Sequence, residues 1–168
     1  MPTPNLKTFL KDRLSGAAKV AVLGIGSSLR GDDVAGMLVI EYLKKNPASR
    51  RISKRIGLFG GATAPENLTG EIRAFKPGHI IIVDSAEMKE KPGTILVLRP
   101  EEIGGGVTFS THNMPARILS EYFKKSVKCG ITIIGIQPRS VRFGDGVSRL
   151  VKSASKEVAE AIACATNS

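Results

Sequence analysis

Five aspartates and two histidines occur in this chain of 168 residues, so each carries information. Asp32 and Asp33 close a glycine-punctuated stretch, Gly24-Ile25-Gly26-Ser27-Ser28-Leu29-Arg30-Gly31-Asp32-Asp33. Asp84 directly follows the run Ile80-Ile81-Ile82-Val83. His112 stands in Ser110-Thr111-His112-Asn113, between a glycine-rich loop and a helix start. Two carboxylates and one imidazole can hold a divalent metal and leave positions open to a substrate. Zinc, nickel, iron and manganese all accept such ligands. A water on such a metal loses its proton near pH 7 and attacks a carbonyl. The residue types therefore point to metal-assisted hydrolysis, with Asp33, Asp84 and His112 as candidate metal ligands and catalytic groups.

Each of these residues also has a plainer reading. Asp32 reads as a helix N-cap, but one cap explains one carboxylate and leaves Asp33 over. Asp84 could form a turn, although a carboxylate after four buried β-branched residues needs a partner or a metal to offset its desolvation. His112 could simply begin a helix. His79 follows Pro77-Gly78 and precedes a strand, at the opposite end of the sheet from the other candidates, and reads as incidental. Glu66 and Glu87 read as caps more readily than as catalytic bases.

Two rival chemistries fit less well. No strand–turn–helix elbow presents a serine nucleophile with a base beside it. Cys129 and Cys164 have neither a metal spacing nor a neighbouring histidine and read as packed thiols. Gly24-x-Gly26 after a strand opens like a dinucleotide-binding loop, but Leu29 stands where the third glycine belongs. Asp32 and Asp33 would also put two anions at the helix end where a pyrophosphate binds.

The elements that must position these side chains follow from periodicity. Short apolar runs at 19–24, 55–59, 79–83, 94–98 and 131–136 read as five strands. Amphipathic stretches at 4–14, from Asp32 or Asp33 to Asn46-Pro47, at 65–75, after His112 and at 147–163 read as helices. Thr3 and Pro4 look like the N-cap and first turn of the first helix. Alternating strands and helices argue for an α/β fold, a three-layer sandwich with a mostly parallel sheet covered on both faces. The connection into 94–98 is too short for a crossover helix, which predicts an antiparallel edge strand there. In open α/β sheets, ligands bind outside the carboxyl ends of the strands. Asp32, Asp33 and Asp84 all fall on that rim.

Composition sets the outer limits. With 42% hydrophobic and 24% charged residues, 5% aromatics and no Trp, the core must rest on Ile, Val, Leu and Ala. The length fits one domain spanning residues 1–168. No apolar run approaches the roughly 18 residues that span a membrane, and the N-terminal stretch reads as an amphipathic helix, so the expected location is the cytoplasm. The net charge is +10, with clusters at Lys44, Lys45, Arg50, Arg51, Lys54 and Arg55 and at Lys124, Lys125 and Lys128. No aromatic residues are interleaved for base stacking, so nucleic acid is not an expected partner. The clusters read as a solvated basic rim, with docking of an acidic protein surface as a further use.

Taken together, the motifs resemble the hydrogenase maturation endopeptidases, most closely the hydrogenase-3 (formate hydrogenlyase) branch. Four segments carry the resemblance: the 24–33 loop, Ala64-Pro65-Glu66-Asn67, Ile82-Val83-Asp84 with Pro92-Gly93, and Ser110-Thr111-His112-Asn113-Met114-Pro115. Gly135-Ile136-Gln137-Pro138 is a fifth, and together they span residues 20–140. The resemblance implies a five-stranded twisted sheet between helices and a metal-dependent, aspartate-type endopeptidase. It implies that Asp33, Asp84 and His112 bind metal, and that this metal is nickel already inserted in the substrate. The partner would be the large-subunit precursor of a nickel–iron hydrogenase, cut after a His or Arg near its C-terminal cysteine motif only once nickel is loaded. One departure stands out. Many relatives carry an Asp at the end of the second strand, where this chain reads Leu58-Phe59-Gly60-Gly61-Ala62 without a carboxylate. Two other classes remain open: a metal-sensing chaperone that binds the large subunit without cutting it, and a different metallohydrolase.

Overall fold

The computed structural model describes residues 5–51, 54–103, 106–109 and 116–168. Strands β1 (Val20–Ile25), β2 (Ile56–Ala62), β3 (His79–Glu87) and β6 (Gly130–Ile136) run parallel. Strand β4 (Ile95–Leu98) lies antiparallel against β6 at the sheet edge, as its short connection predicts. The order across the sheet is β2-β1-β3-β6-β4. A sixth strand, β5 (Thr108–Phe109), lies off this path and pairs antiparallel with Ala86 and Glu87 at the end of β3. Two residues beside a triple glycine leave no periodicity to read, which is why five strands and not six are visible in the sequence.

The central strands are buried on both faces because helices cover both. Val20, Val22, Ile81, Val83, Ile134 and Ile136 pack with α1 (Leu6–Leu14), α2 (Ala35–Lys45) and α6 (Arg149–Thr166). The alternate set, Ala21, Leu23, Ile25, Ile80, Ile82, Ile131 and Ile133, packs with Ile72 of α4 (Thr69–Phe75) and with Leu119 and Phe123 of α5 (Ala116–Ser126). This period-two division of continuous apolar strands is the signature of a parallel sheet in a three-layer fold.

Several boundaries differ from expectation. The first helix is capped by Asn5, whose Oδ1 accepts the Thr8 N–H at 3.2 Å; Thr3 and Pro4 lie outside the described residues. Asn46 ends α2, but Pro47 opens a further short helix, α3 (Pro47–Arg51), since proline suits a first turn. The last helix starts at Arg149, with Ser148 as its N-cap.

The basic clusters gather at the amino ends of the parallel strands. Lys44 and Lys45 end α2, Arg50 and Arg51 end α3 just before β2, and Lys124 and Lys125 end α5 just before β6. Arg55 is structural: it donates to Thr166 O at 2.8 Å and Ser168 O at 3.0 Å at the end of α6. Apart from half-buried Arg55 these charges are solvent-exposed, as a solvated basic rim requires, and they lie at the end of the sheet opposite Asp33 and Asp84.

His79 is buried at this same end, with Nε2 2.8 Å from Thr132 Oγ1. Gly130 beside it has no side chain, and a Cβ there would come within 2.5 Å of the imidazole. Burial, helped by the Arg13 charge, lowers the His79 pKa from 6.5 to about 4. The ring is thus neutral when folded and takes a proton on unfolding between pH 6.5 and 4. Stability falls as pH drops through that window, by about 3 kcal/mol in all once the pH is below the folded pKa. Urea melts of the His79→Gln variant, followed from pH 7 to 4, should show a flatter pH dependence; an unchanged slope would contradict this assignment.

Candidate active site at the sheet switch point

From β1 the chain crosses to β2 on one side, and from β3 it crosses to β6 on the other. The carboxyl ends of β1 and β3 therefore bound a topological switch point, the place where open α/β sheets bind ligands. Asp33 and Asp84 both stand there.

Glycines allow the approach to this crevice. Any Cβ on Gly36 would run into the carbonyls of Val83 and Ile25, and one on Gly24 into the carbonyl of Gly36. Helix α2 thus lies directly on β1 and β3. Gly26, with φ +144°, turns the chain out of β1 and sits against the Asp33 carbonyl. The chain then makes a 3-10 turn over Gly31–Val34, which points successive carboxylates in different directions.

Asp33 points into the switch point and is 1% exposed. Its Oδ2 accepts the Ser27 N–H at 3.1 Å, and its Oδ1 accepts the Ser85 hydroxyl at 3.4 Å. Asp84, the neighbour of Ser85, is fully buried and lies opposite Gly135 of β6. The pleat of β3 assigns Ser85 to the α2 side with Ile81 and Val83, and Asp84 to the α4–α5 side with Ile80 and Ile82. Asp33 and Asp84 thus stand at the carboxyl ends of neighbouring strands, Asp33 against Ser85 on the α2 side and Asp84 assigned to the other side; carboxylate oxygens suit a hard or borderline cation. Among the described residues no group of three metal-ligating side chains comes together. His112 lies outside the described residues. Phe109, three positions before it, pairs with Ala86, and Ala116, four positions after it, begins α5.

Asp32 is not an N-cap. It is 1% exposed and reaches away from Asp33 to a distant loop, accepting the Arg139 N–H at 2.8 Å, the Ser148 N–H at 2.7 Å and the Ser148 hydroxyl at 2.8 Å. Its own N–H donates to Ser140 O at 2.9 Å. The two adjacent aspartates thus divide the work, one facing the crevice and one tying the 139–148 loop to the rim. Asp32→Ala leaves three donors without their acceptor and should destabilise the protein by about 2 kcal/mol. Thermal melts check this; a loss below about 0.5 kcal/mol would show that the loop is not held by this carboxylate.

Glu66 and Glu87 do not cap helices either. Glu87 accepts Lys89 N–H at 3.0 Å and Gln137 Nε2–H at 3.1 Å. Gln137, buried after β6, also accepts Met88 N–H at 2.7 Å, so it pins the turn that leaves β3. Glu66 lies in the 3-10 turn Pro65–Leu68 after β2 and makes no cap bond. Ser27, Ser85 and Gln137 are the supporting residues that motif reading left without a role. The signal for them was position: Ser27 and Gln137 follow the last residue of a buried strand by no more than two, and Ser85 lies within β3 next to Asp84.

Comparison with known proteins agrees with this fold. A family model described as hydrogenase maturation protease matches residues 37–165. The hydrogenase 3 maturation protease of Escherichia coli K12 is 32% identical over 137 residues, covering 82% of this chain and 84% of that one. The crystal structure of the NiFe hydrogenase maturation protease HycI from Thermococcus kodakarensis KOD1 superposes with a TM-score of 0.82 at 32% identity, over 95% of this chain and 99% of that one. The solution structure of the endopeptidase HycI from E. coli gives a TM-score of 0.73 at 31% identity, over 84% and 87%.

Proposed function

Because the chain belongs to the hydrogenase maturation protease family, we propose that it is the endopeptidase that removes the C-terminal extension of a nickel–iron hydrogenase large-subunit precursor, and that it reads the precursor's nickel through Asp33, Asp84 and His112. The observation that carries this reading is the pair of buried carboxylates, Asp33 and Asp84, at the β1/β3 switch point. Two carboxylates alone make an incomplete site for a divalent ion. His112 supplies the third ligand, and the nickel arrives with its own ligands as part of the substrate.

In this proposal the chain's residues orient and do not carry the reaction alone. Ser27 N–H and the Ser85 hydroxyl fix the Asp33 carboxylate, so that it meets the incoming metal in one orientation. Water adds to the scissile carbonyl carbon, the C–N bond breaks, and the leaving nitrogen takes a proton. Nickel contributes as a Lewis acid, either on the carbonyl oxygen or on the attacking water. A carboxylate in place of the Asp missing near Phe59 is not needed if these three residues suffice. No helix among the described residues is long and apolar enough to cross a membrane.

Mass spectrometry of purified protein incubated with nickel-loaded precursor tests the activity. Release of one defined C-terminal fragment is the expected result. Tight binding without mass loss would replace this reading with a chaperone, and neither outcome would leave a different metallohydrolase.

A further inference from the structure

Three large apolar side chains stand exposed on one stretch of the rim: Phe143 at 77%, Leu29 at 61% and Leu150 at 55%. They come from separate parts of the chain; loop contacts bring Leu29 and Phe143 together, and Leu150 lines the same concavity as Arg139 and Ser148. Gly144 N–H donates to Leu29 O at 2.9 Å, which sets Phe143 beside Leu29. Arg30 Nε donates to Val141 O at 3.2 Å, joining the 27–31 and 139–148 loops. Leu150, at the start of α6, packs its backbone against Gly93.

Arginines interleave with these residues. Arg30, Arg139, Arg142 and Arg149 are all exposed. Two adjoining concavities, of about 540 and 530 Å³, run between them and share Arg139 and Ser148. The carboxylates on this surface are already engaged: Asp32 with Arg139 N–H and Ser148, and Asp145 with the Ser140 hydroxyl at 2.6 Å and Arg142 at 3.3 Å. The neighbouring turn is balanced, with Glu87 and Glu90 against Lys89 and Lys91. The patch is therefore apolar at its centre and positive at its edge. Aromatic and arginine side chains together are the composition of a protein-docking surface.

We propose that this surface docks the precursor outside its scissile segment, binding a stretch that presents an apolar side chain flanked by carboxylates. The inference rests on the substrate class assigned above. It assigns the docking role to arginines scattered at 30, 139, 142 and 149, and removes it from the lysine-rich clusters at the opposite end of the sheet. Asp32 ties the patch to the site, because the same carboxylate that anchors the 139–148 loop precedes Asp33 in the chain.

Steady-state cleavage of nickel-loaded precursor by full-length variants tests this. Phe143→Asp and the pair Arg142→Glu/Arg149→Glu should raise KM about tenfold with kcat unchanged. Phe143→Ala, which only removes exposed surface, should shift KM in the same direction by less. Raising salt from 50 to 500 mM should raise the wild-type KM, and raise that of the double arginine variant less. Lys44→Glu/Lys45→Glu serves as the control and should leave KM unchanged. An unchanged KM in the rim variants, or an equal effect in the control, would overturn the proposal. So would a dimer in sedimentation that Phe143→Asp dissolves without altering KM, since the occupant would then be a second copy. Absence of cleavage by the wild type would instead remove the proposed function, and this inference with it.

Discussion

Asp84→Asn is expected to lower turnover of nickel-loaded precursor by about a hundredfold to a thousandfold while the protein stays folded. The amide keeps the size of the side chain but loses the charge that attracts a divalent ion. Lewis-acid assistance is worth several kcal/mol, and each 1.36 kcal/mol is tenfold in rate. Asp84 is fully buried, and thermal melts of the same variant separate any structural loss from the kinetic one. Asp33→Asn is expected to show the same kinetic loss together with a loss of stability, because Asp33 also holds Ser27 and Ser85. His112→Ala should match the kinetic loss. Initial rates by mass spectrometry, paired with thermal melts, separate these effects. Undiminished cleavage by Asp33→Asn and Asp84→Asn would remove the site assignment.

Gly36→Ala is expected to destabilise the protein by about 3 kcal/mol, within the usual range for overpacking a core contact. The added methyl would meet two backbone carbonyls, of Val83 and Ile25, and backbone cannot swing aside as a side chain can. Helix α2 would have to lift from β1 and β3, carrying the Gly31–Val34 turn with it. A loss of this size lowers the melting temperature by about 10 °C in a domain of this length. It should also reduce turnover, since Asp33 rides on that turn. A melting temperature within about 1 °C of wild type would mean that α2 does not sit as closely as described.

Much of this arrangement is legible in the residues. The central strands β1, β3 and β6 are rich in β-branched residues and almost wholly buried, so composition and length identify them, and the antiparallel edge at Ile95–Leu98 follows from its short connection. Asp33 and Asp84 stand out because a rare carboxylate beside a buried strand requires a reason. The division of labour between Asp32 and Asp33 was not legible. It depends on a 3-10 turn in place of an immediate α-helix, and on partners at Arg139 and Ser148 more than a hundred residues away. Local patterns carry no information about such partners. The grouping of Arg30, Arg139, Arg142 and Arg149 was not legible for the same reason: sequence clusters such as Lys44-Lys45 are easy to see, whereas these four converge only through the fold. The short strand β5 owes its existence to pairing with β3 and not to its own composition.

The most direct test of nickel reading is the ratio of cleavage rates for nickel-loaded and nickel-free precursor, measured with metal-free protein. The expected ratio is at least about a hundred, with the nickel-free precursor left intact even when free nickel is added to the maturation protease alone. Equal cleavage of both precursors would contradict the proposal, because Asp33, Asp84 and His112 would then have no metal of the substrate to read.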